Sequence, residues 1–486
     1  MSNRPETNKQ SCPVYKKCGG CQLQNLSYPE QLEFKQRKVE KLLKRFCTVE
    51  KIIGMKTPYH YRNKVQAAFY TDKKGKIISG VYQSGSHHVV GIDSCQTEDV
   101  IADKIIVAVR KLLPSFRMTT YNEDTGKGFL RHILVKRGFA TNQIMLVLVT
   151  GTPVFPSKNN FVKAILKQFP EITTIVQNIN PYRTNLVLGD NQKVLYGKGY
   201  IEDILCGCRF RISPKSFYQI NPVQTEVLYG KAIEFANLKG NETVLDTYCG
   251  IGTIGIIAAK NGAGNVIGAE LNGDAVRDAI VNARANNLKN IRFYKADAGE
   301  FMREAADEDE KPDVVFMDPP RAGSDRKFLD SLIKMSPKKV VYVSCNPETL
   351  ARDLAYLTQN SPYKAQKIQP VDMFPHTAHI ETVVLLSRKK PDGHINVKVE
   401  FGEGEGKVPL DNIAKRAEEY KPKERVTYKM IKEYIEAKYS FKVHTAYIAE
   451  VKRDLGLPMY DAPNAVEELK QPRKHPTAEK VEAIKD

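Results

Sequence analysis

The feature with the clearest chemical potential in this sequence is a cysteine that follows a strand-like apolar run. Lys339 to Val343 is rich in β-branched residues, and it leads directly into Ser344-Cys345-Asn346-Pro347. Because ligands collect at the carboxyl ends of strands in α/β folds, Cys345 is a candidate nucleophile. A lone cysteine is more often an inert, buried side chain, so this role requires a substrate and partner groups from elsewhere in the chain.

Three more cysteines lie close together near the start of the sequence. Cys12, Cys18 and Cys21 surround a Gly-Gly pair, and a fourth thiol follows at Cys95. Zinc usually takes its cysteines as two close pairs, whereas three clustered thiols plus a distant one are common in iron-sulfur sites. The pattern therefore favours an iron-sulfur cluster and leaves zinc open. Three other cysteines are alternative ligands, although simple packing explains them better: Cys47, Cys206 and Cys208.

The net charge of +18 is distributed unevenly along the 486 residues. The first 200 residues carry 31 Lys and Arg against 14 Asp and Glu, whereas residues 201–390 carry 25 against 24 and residues 391–486 carry 18 against 18. A basic region joined to a neutral region suggests that the first binds a polyanion and that the second has a different function. The alternative is a solvated basic face that only aids solubility.

The hydrophobic pattern divides the basic part into a helix and a sheet. Pro29 to Phe46 has apolar residues at helical spacing. Residues 59–150 contain short alternating runs broken by turns, which predicts a mainly antiparallel module with one helix, Val100 to Leu113. Basic residues in this module are interleaved with tyrosines and Phe129, a combination that suits backbone contact and base stacking in RNA. Each aromatic residue, taken alone, is more simply explained as sheet core.

Beyond Ile201 strands and helices alternate regularly. Strands are predicted at 242–246, 265–269, 291–295, 313–317 and 339–343, with helical stretches between them and a final strand pair at 365–370 and 379–387. This order predicts a doubly wound, mainly parallel α/β sheet. After Arg388, two short amphipathic helices are predicted at 427–438 and 445–454, and the Pro/Lys/Glu-rich stretch 463–486 is predicted to be disordered.

A glycine-rich turn follows the first of these strands. Gly250, Gly252 and Gly255 come after Asp246, and Glu270 ends the next strand, 24 residues beyond Asp246. This spacing fits a dinucleotide fingerprint, but an adenosyl cofactor needs the same close backbone approach and the same carboxylate for its ribose. The acidic turn Asp318-Pro319-Pro320-Arg321 at the end of the fourth strand, together with Asp246, favours S-adenosylmethionine (SAM). No catalytic set for hydride transfer is evident.

With a methyl donor and an RNA substrate, Cys345 has a specific chemical role as a nucleophile. Uracil C5 is a poor nucleophile, but addition of a thiolate at C6 converts the ring to an enolate that can accept a methyl group. The C5 proton must then be removed by a base. Glu381, at the start of the last strand, is predicted to lie at a neighbouring strand end and to fill that role.

Five motifs in order resemble the RNA uracil-5 methyltransferases, specifically the bacterial 23S ribosomal RNA branch, over roughly residues 10–390. They are Ser216-Phe-Tyr-Gln-Ile-Asn221, Asp246-Thr-Tyr-Cys-Gly-Ile-Gly252, Asp318-Pro-Pro-Arg321, Ser344-Cys-Asn-Pro347 and His379-Ile-Glu-Thr382. The resemblance implies a Rossmann-like class I SAM-dependent methyltransferase domain. It also implies Cys345 as nucleophile and Glu381 as the base.

The same resemblance assigns roles to further residues. It implies that Phe217 stacks on a flipped uracil and that a [4Fe-4S] cluster is held by Cys12, Cys18, Cys21 and Cys95. Five residues are implied to contact SAM: Gln219, Tyr248, Glu270, Asp297 and Asp318. Many cluster-bearing relatives begin with a small β-barrel RNA-binding module called TRAM; only eleven residues precede Cys12, so we expect this module to be missing.

Four regions are therefore expected. They are a cysteine segment at 1–28, a helix and basic RNA-binding domain at 29–200 that also supplies Cys95, a methyltransferase domain at 201–390, and an extension at 391–486. The sequence contains neither a signal peptide nor a run of 18 apolar residues, so we expect a cytoplasmic protein, without membrane partners and monomeric.

The leading hypothesis is 5-methyluridine formation in 23S ribosomal RNA. The same chemistry on a transfer RNA uridine stays open, as does a non-catalytic role in RNA binding or ribosome assembly. A methyltransferase acting on an exocyclic amine fits less well, because such enzymes usually carry a neutral Asn-Pro-Pro-aromatic turn and need no nucleophile.

Overall fold

The structure is a computed structural model of the chain, and it describes residues 12–83, 86, 88–184, 186–308, 311–388 and 428–439, with residues 441, 448, 451, 480 and 481. By internal contacts the chain divides into two units, residues 1–394 and 395–486. None of the helices in these described ranges is long and apolar enough to cross a membrane.

The first unit begins with two helices, α1 (Tyr15–Cys18) and α2 (Tyr28–Leu43). Helix α2 starts with a capping box, in which the Ser27 backbone N–H donates to the Glu30 carboxylate at 2.7 Å. Its apolar residues Val39 and Leu43 are buried in the core. The helix predicted from Pro29 is therefore confirmed.

A seven-stranded central sheet follows, and helices α3 (Val100–Leu112) and α4 (Lys158–Gln168) pack on one face. The strand order is β3-β2-β1-β4-β5-β6-β7. Its strands are β1 (Lys64–Thr71), β2 (Ile77–Tyr82), β3 (Val89–Gly91), β4 (Leu130–Arg137), β5 (Ile144–Thr150), β6 (Ile172–Ile179) and β7 (Asn191–Tyr196).

The central sheet differs from the predicted module in one respect. Strands β5 and β6 pair in parallel, because α4 provides the crossover between them. The single α-helix predicted within residues 59–150 is confirmed as α3; α4 lies beyond that range, and its buried Phe161, Val162 and Ile165 repeat at helical spacing. The strand pairs within residues 59–150 are antiparallel, as predicted. Strands β6 and β7, which lie beyond that range, also pair in antiparallel fashion.

A hairpin, β8 (Ile201–Leu205) and β9 (Cys208–Ile212), joins the two parts of the first unit. Its buried residues share one apolar core with Leu134 and Val147 of the central sheet and with Val244 of the next sheet. The core is therefore continuous across the predicted boundary at residue 200.

The second sheet has seven strands in the order β12-β11-β10-β13-β14-β16-β15. Only β16 runs antiparallel to its neighbours, which confirms the doubly wound sheet closed by a strand pair. The strands are β10 (Thr243–Asp246), β11 (Asn265–Glu270), β12 (Ile291–Lys295), β13 (Val314–Met317), β14 (Lys339–Ser344), β15 (Tyr363–Val371) and β16 (Glu381–Arg388). The helices are α5 (Pro222–Ala236), α6 (Thr253–Lys260), α7 (Gly273–Ala285), α8 (Ala298–Asp307), α9 (Arg326–Met335) and α10 (Pro347–Asn360).

In the second unit, the helix Tyr428–Tyr439 matches the first helix predicted after Arg388. The second predicted helix and the stretch 463–486 lie almost entirely outside the described residues.

Candidate active site

A pocket of about 440 Å³ opens at the carboxyl ends of strands β10, β13 and β14. This is the edge at which open α/β sheets bind ligands. Cys345, Glu381, Gln219, Tyr248, Glu270, Asp318 and Phe217 all line it, so the structure brings seven of the eight residues predicted for catalysis, SAM binding and base stacking into one cavity.

Cys345 occupies a tight strand-to-helix turn. The Asn346 side chain accepts from the Glu348 N–H at 3.1 Å and donates to the Arg321 carbonyl at 3.2 Å, while Pro347 begins α10. These contacts hold the turn so that Cys345 lines the pocket. Burial, together with the nearby Glu381 and Asp318, raises the pKa of the Cys345 thiol to about 11, whereas Arg321 opposes the shift.

Glu381 reaches the same pocket through strand pairing. The antiparallel ladder of β14 and β16 pairs Ser344 with Thr382, so the next positions along it are Cys345 and Glu381. Burial raises the pKa of the Glu381 carboxyl well above its usual value; Asp318 adds to this, and Arg321 opposes it. A carboxyl with a raised pKa is better matched to proton transfer near neutral pH than an ordinary glutamate.

The loop before Glu381 is fixed by the N-terminal segment. Lys35 of α2 forms a fully buried ion pair with Asp372 at 2.5 Å, and the His376 N–H donates to Gln31 at 2.8 Å. Nearer the cysteines, the Leu23 N–H donates to the His376 carbonyl at 2.9 Å, and the Ala378 N–H donates to the Gln22 side chain at 3.2 Å. The position of Glu381 thus depends on contacts with residues 22–35.

Asp318 contributes an acidic group to the pocket wall. Burial raises the pKa of its carboxyl to about 7. Between the unfolded pKa, about 3.9, and pH 7 the folded protein holds more protons at this group than the unfolded chain does. Ionisation of Asp318 therefore lowers the stability of the fold as pH rises through this window.

We expect Asp318→Asn to raise the melting temperature of the cofactor-free protein at pH 8 while weakening SAM binding. One pKa unit corresponds to about 1.4 kcal/mol, and partial exposure of the group reduces the gain to about 1–2 kcal/mol. The gain should vanish near pH 3, where the carboxyl is mostly protonated in both states. Thermal unfolding at the two pH values measures this, and an equal gain at both would contradict the role of ionisation.

The glycine-rich turn has the features that an adenosyl cofactor requires. Gly250 and Gly252 have φ values of 55° and 82°, and a Cβ at Gly252 would lie 2.7 Å from the Phe293 ring. The Asp246 carboxylate accepts from the Gly255 N–H at 2.8 Å, but its second oxygen is buried and has no partner among the described residues. Glu270 accepts from the Gly250 N–H at 3.0 Å.

These observations fit the predicted cofactor. The orphaned Asp246 oxygen can accept from the amino group of SAM, and Glu270 lies where ribose hydroxyls are bound in this fold class. Tyr248 stacks on Phe328 with ring centroids 5.5 Å apart, which orients it along the pocket wall.

Phe217 stands at the mouth of the pocket and is 64% exposed. Its loop is clamped from the central sheet: the buried Lys136 amine donates to the Ser213 carbonyl at 2.9 Å and to the Ser216 carbonyl at 2.8 Å. The Asn63 N–H donates to the Ile220 carbonyl at 2.9 Å. The loop is therefore fixed at both ends while the Phe217 ring remains open to a ligand.

We expect Lys136→Met to raise the KM for RNA several-fold and to leave the KM for SAM unchanged, because it releases the backbone beside Phe217. Lys163→Met, at an exposed position of α4, is a matched control and should change neither constant. Steady-state kinetics with each substrate varied in turn measures the split. Equal changes in both constants would indicate general loss of structure instead.

Asp297 does not line the pocket. It caps α8, where its carboxylate accepts from the Gly299 N–H at 2.9 Å and the Glu300 N–H at 3.1 Å. Its contact with SAM remains a prediction.

Four residues that line the pocket were not predicted as site residues: Tyr229, Arg321, Phe374 and His379. Arg321 and His379 fall inside quoted motifs, whereas Tyr229 and Phe374 gave no sequence signal.

The four cysteines of the predicted cluster are half-buried free thiols. The pKa of Cys21 is raised to about 12, first by burial and then by the neighbouring Cys95, Cys18 and Cys12. The fold thus brings Cys95 beside the N-terminal thiols. However, no three His, Cys, Asp or Glu side chains in the described ranges are placed to hold a metal ion, so the arrangement does not support the predicted iron-sulfur domain.

Comparisons with known proteins agree with this site. The family model described as tRNA (Uracil-5-)-methyltransferase matches residues 183–389. A Bacillus cereus protein described as an uncharacterized RNA methyltransferase is 44% identical over 389 residues, which cover 79% of this chain and 84% of that protein. A Listeria monocytogenes protein with the same description is 46% identical over 379 residues, which cover 77% and 83% of the two chains.

A solved structure matches most of the chain as well. It is the crystal structure of Pyrococcus abyssi tRNA (uracil-54, C5)-methyltransferase in complex with S-adenosyl-L-homocysteine. That protein is 30% identical, with a TM-score of 0.64, over 78% of this chain and 87% of its own. Together with the pocket built around Cys345, these matches show that the chain belongs to the SAM-dependent RNA uracil-5-methyltransferase family.

Proposed function

We propose that this enzyme methylates C5 of a uridine in 23S ribosomal RNA through a covalent bond between Cys345 and C6 of the base. The observation that carries the mechanism is the placement of Cys345 and Glu381 at neighbouring positions of two paired strands, in one pocket with Asp318. All of these groups come from one chain, which supports a monomeric enzyme.

The protein's own groups account for each stage at the base. The Cys345 thiolate adds to C6 of uracil, and the C5–C6 double-bond electrons move toward C4–O4, which makes C5 nucleophilic. SAM supplies an electrophilic methyl group when bound. Glu381 then takes the C5 proton, the C5–C6 double bond re-forms, and the bond between C6 and the Cys345 sulfur breaks.

Base access is the second requirement of this chemistry. A ring carbon inside a helix or stem is shielded, so the uridine must be extruded into the pocket. Phe217 is the exposed aromatic ring at the pocket mouth, and we assign it to stacking on the extruded base. The excess of positive charge in the first 200 residues provides the long-range attraction for RNA.

The target RNA can be identified by one experiment. The purified enzyme is incubated with methyl-labelled SAM and unmodified 23S ribosomal RNA or unmodified transfer RNA, and 5-methyluridine is mapped by nuclease digestion and mass spectrometry. Transfer RNA is the second candidate, because the solved relative is named for transfer RNA uracil-54. We expect label in 23S ribosomal RNA; label in transfer RNA alone would replace that target.

We also propose a [4Fe-4S] cluster on Cys12, Cys18, Cys21 and Cys95. The electrostatic influence of three of these thiols on Cys21 supports a shared site. Tetrahedral zinc, with Zn–S bonds of about 2.3 Å, would require sulfurs within about 3.8 Å of one another. A [4Fe-4S] cluster binds each thiolate through a different iron, so its four cysteine sulfurs can lie farther apart than those around one zinc ion.

Protein purified without oxygen should contain about four iron and four sulfide ions per chain, and it should be brown, with broad absorption in the visible range. Cys21→Ser should lose most of the iron, whereas Cys47→Ser, at a thiol that donates to the Gln366 carbonyl at 3.2 Å, should retain it. Stoichiometric zinc without iron would refute the cluster.

A further inference from the structure

Lys64, the first residue of β1, lies beside the loop that forms the pocket mouth. The residue before it, Asn63, donates its N–H to the Ile220 carbonyl at 2.9 Å, and Ile220 directly follows Gln219 of the pocket. The side chain of Lys64 is half-buried rather than projecting freely into water. This end of β1 therefore lies next to the loop at the pocket mouth.

The side chains that face Lys64 are basic, although burial, aided by Lys64 itself, lowers the pKa of one of them, Lys136, to about 7. Strand register pairs Lys64 with Lys136 on β4, so the two side chains stand on the same face of the sheet. Two residues earlier along the same face is Arg62. Like charges directly opposite each other destabilise a sheet, so this arrangement needs a counter-charge.

Lys136 has partners that Lys64 lacks. The Lys136 amine is held by the Ser213 and Ser216 carbonyls. The charge of Arg62 acts on Cys18, Cys21 and Glu98 as well as on Lys64, and it has the same sign as the Lys64 amine.

For Lys64, no described residue forms an ion pair or a hydrogen bond with the amine. Burial lowers the pKa of Lys64, Arg62 lowers it further, and no neighbouring group raises it. The acid that acts on the neighbouring Lys136, Asp278, accepts from the Ser216 hydroxyl at 2.7 Å and lies 3.8 Å from Arg211.

We propose that Lys64 binds a backbone phosphate of the RNA next to the uridine that enters the pocket. This inference rests on the proposed function. The RNA phosphate supplies the counter-charge that the protein does not provide, and a lysine amine contacts it as a point charge. The contact would fix the register of the RNA strand between the Phe217 loop and the central sheet, so that the uridine faces Cys345.

The test measures RNA affinity against salt concentration with the full chain. The probe is unmodified 23S ribosomal RNA, with unmodified transfer RNA as a parallel sample. The variants are Lys64→Gln, Lys64→Arg and Lys74→Gln; Lys74 is an exposed lysine in the turn at the opposite end of β1, and its replacement removes the same charge.

Loss of one phosphate contact should reduce the slope of log affinity against log salt by about 0.7 in Lys64→Gln. Lys64→Arg should retain the slope, and Lys74→Gln should match the wild type. SAM affinity should be unchanged in all three.

A second readout uses stability without RNA. Because Lys64 has no counter-charge, Lys64→Gln should melt at the same temperature as the wild type or higher. A lower melting temperature would mean that the amine has a structural partner, and would overturn the proposal. An unchanged salt slope in Lys64→Gln, or an equal reduction in Lys74→Gln, would also overturn it.

The outcomes for the two proposals are separable. Wild-type protein that binds RNA but methylates neither RNA contradicts the proposed function, whereas the slopes of the Lys64 variants still report on the phosphate contact. Wild-type methylation with an unaltered Lys64→Gln slope contradicts only the phosphate contact.

Discussion

Replacing Cys345 with alanine should lower the rate of 5-methyluridine formation by on the order of 10⁴-fold or more, because the pathway through an activated C5 begins with its sulfur. Binding of SAM should persist, since Gln219, Tyr248 and Glu270 lie on other elements around the pocket. Transfer of labelled methyl groups to RNA and isothermal calorimetry with SAM measure the two quantities.

The matched control for this substitution is Cys47→Ala. Cys47 is also a half-buried free thiol, but it donates to the Gln366 carbonyl and does not line the pocket. This variant should methylate RNA at the wild-type rate. A Cys345→Ala protein with wild-type activity would refute covalent catalysis.

The acidity of Cys345 adds a pH dependence. With a pKa raised to about 11 in the free protein, only a fraction on the order of 10⁻⁴ of the thiol is ionised at pH 7. If attack by the thiolate limits the rate, methylation should rise about tenfold per pH unit from pH 7 to pH 9. A flat profile in single-turnover experiments would show that attack is not limiting.

Replacing Glu381 with glutamine should cause a covalent protein–RNA adduct to accumulate. Glutamine preserves the shape of the side chain but cannot take the C5 proton, so the methylated base stays attached to Cys345. Release of product should fall by about 10²–10⁴-fold. The adduct is detected as a shifted band that survives denaturing electrophoresis and disappears after nuclease treatment.

The double variant Cys345→Ala/Glu381→Gln provides the control, because it removes the sulfur through which the adduct forms. We expect no shifted band from it. Absence of an adduct from Glu381→Gln alone, in a protein that still binds RNA and SAM, would reassign the proton to another group. His379 lines the same pocket and would be the next candidate.

Most of the methyltransferase sheet could be predicted because its signals are local. Runs such as Val340 to Val343 are apolar and β-branched, and each is followed by a turn with a recognisable chemical group. Strand alternation then places Asp246, Asp318 and Cys345 at one edge without any knowledge of tertiary contacts. These three residues of the pocket could therefore be predicted from the sequence alone.

What could not be predicted depends on contacts between distant segments. Lys136 reads as one of many basic residues in a strand, and only the fold shows that its amine holds the Ser213 and Ser216 carbonyls. Strand β7 was missed because five of its six residues are exposed, which removes the alternation that marks a half-buried strand. Asp297 follows a strand and precedes a helix, a position that suits both a ligand contact and a helix cap.

The contacts between residues 22–35 and residues 372–378 have a consequence for biosynthesis. They join positions separated by 337 to 356 residues, so closing them requires almost the whole first unit to have been made. Until then α2 carries a lysine whose partner has not been synthesised, and the loop that leads to Glu381 does not exist. The active site can therefore be completed only after translation has passed β16, when the nucleophile, the base and the segment that positions the base are all present.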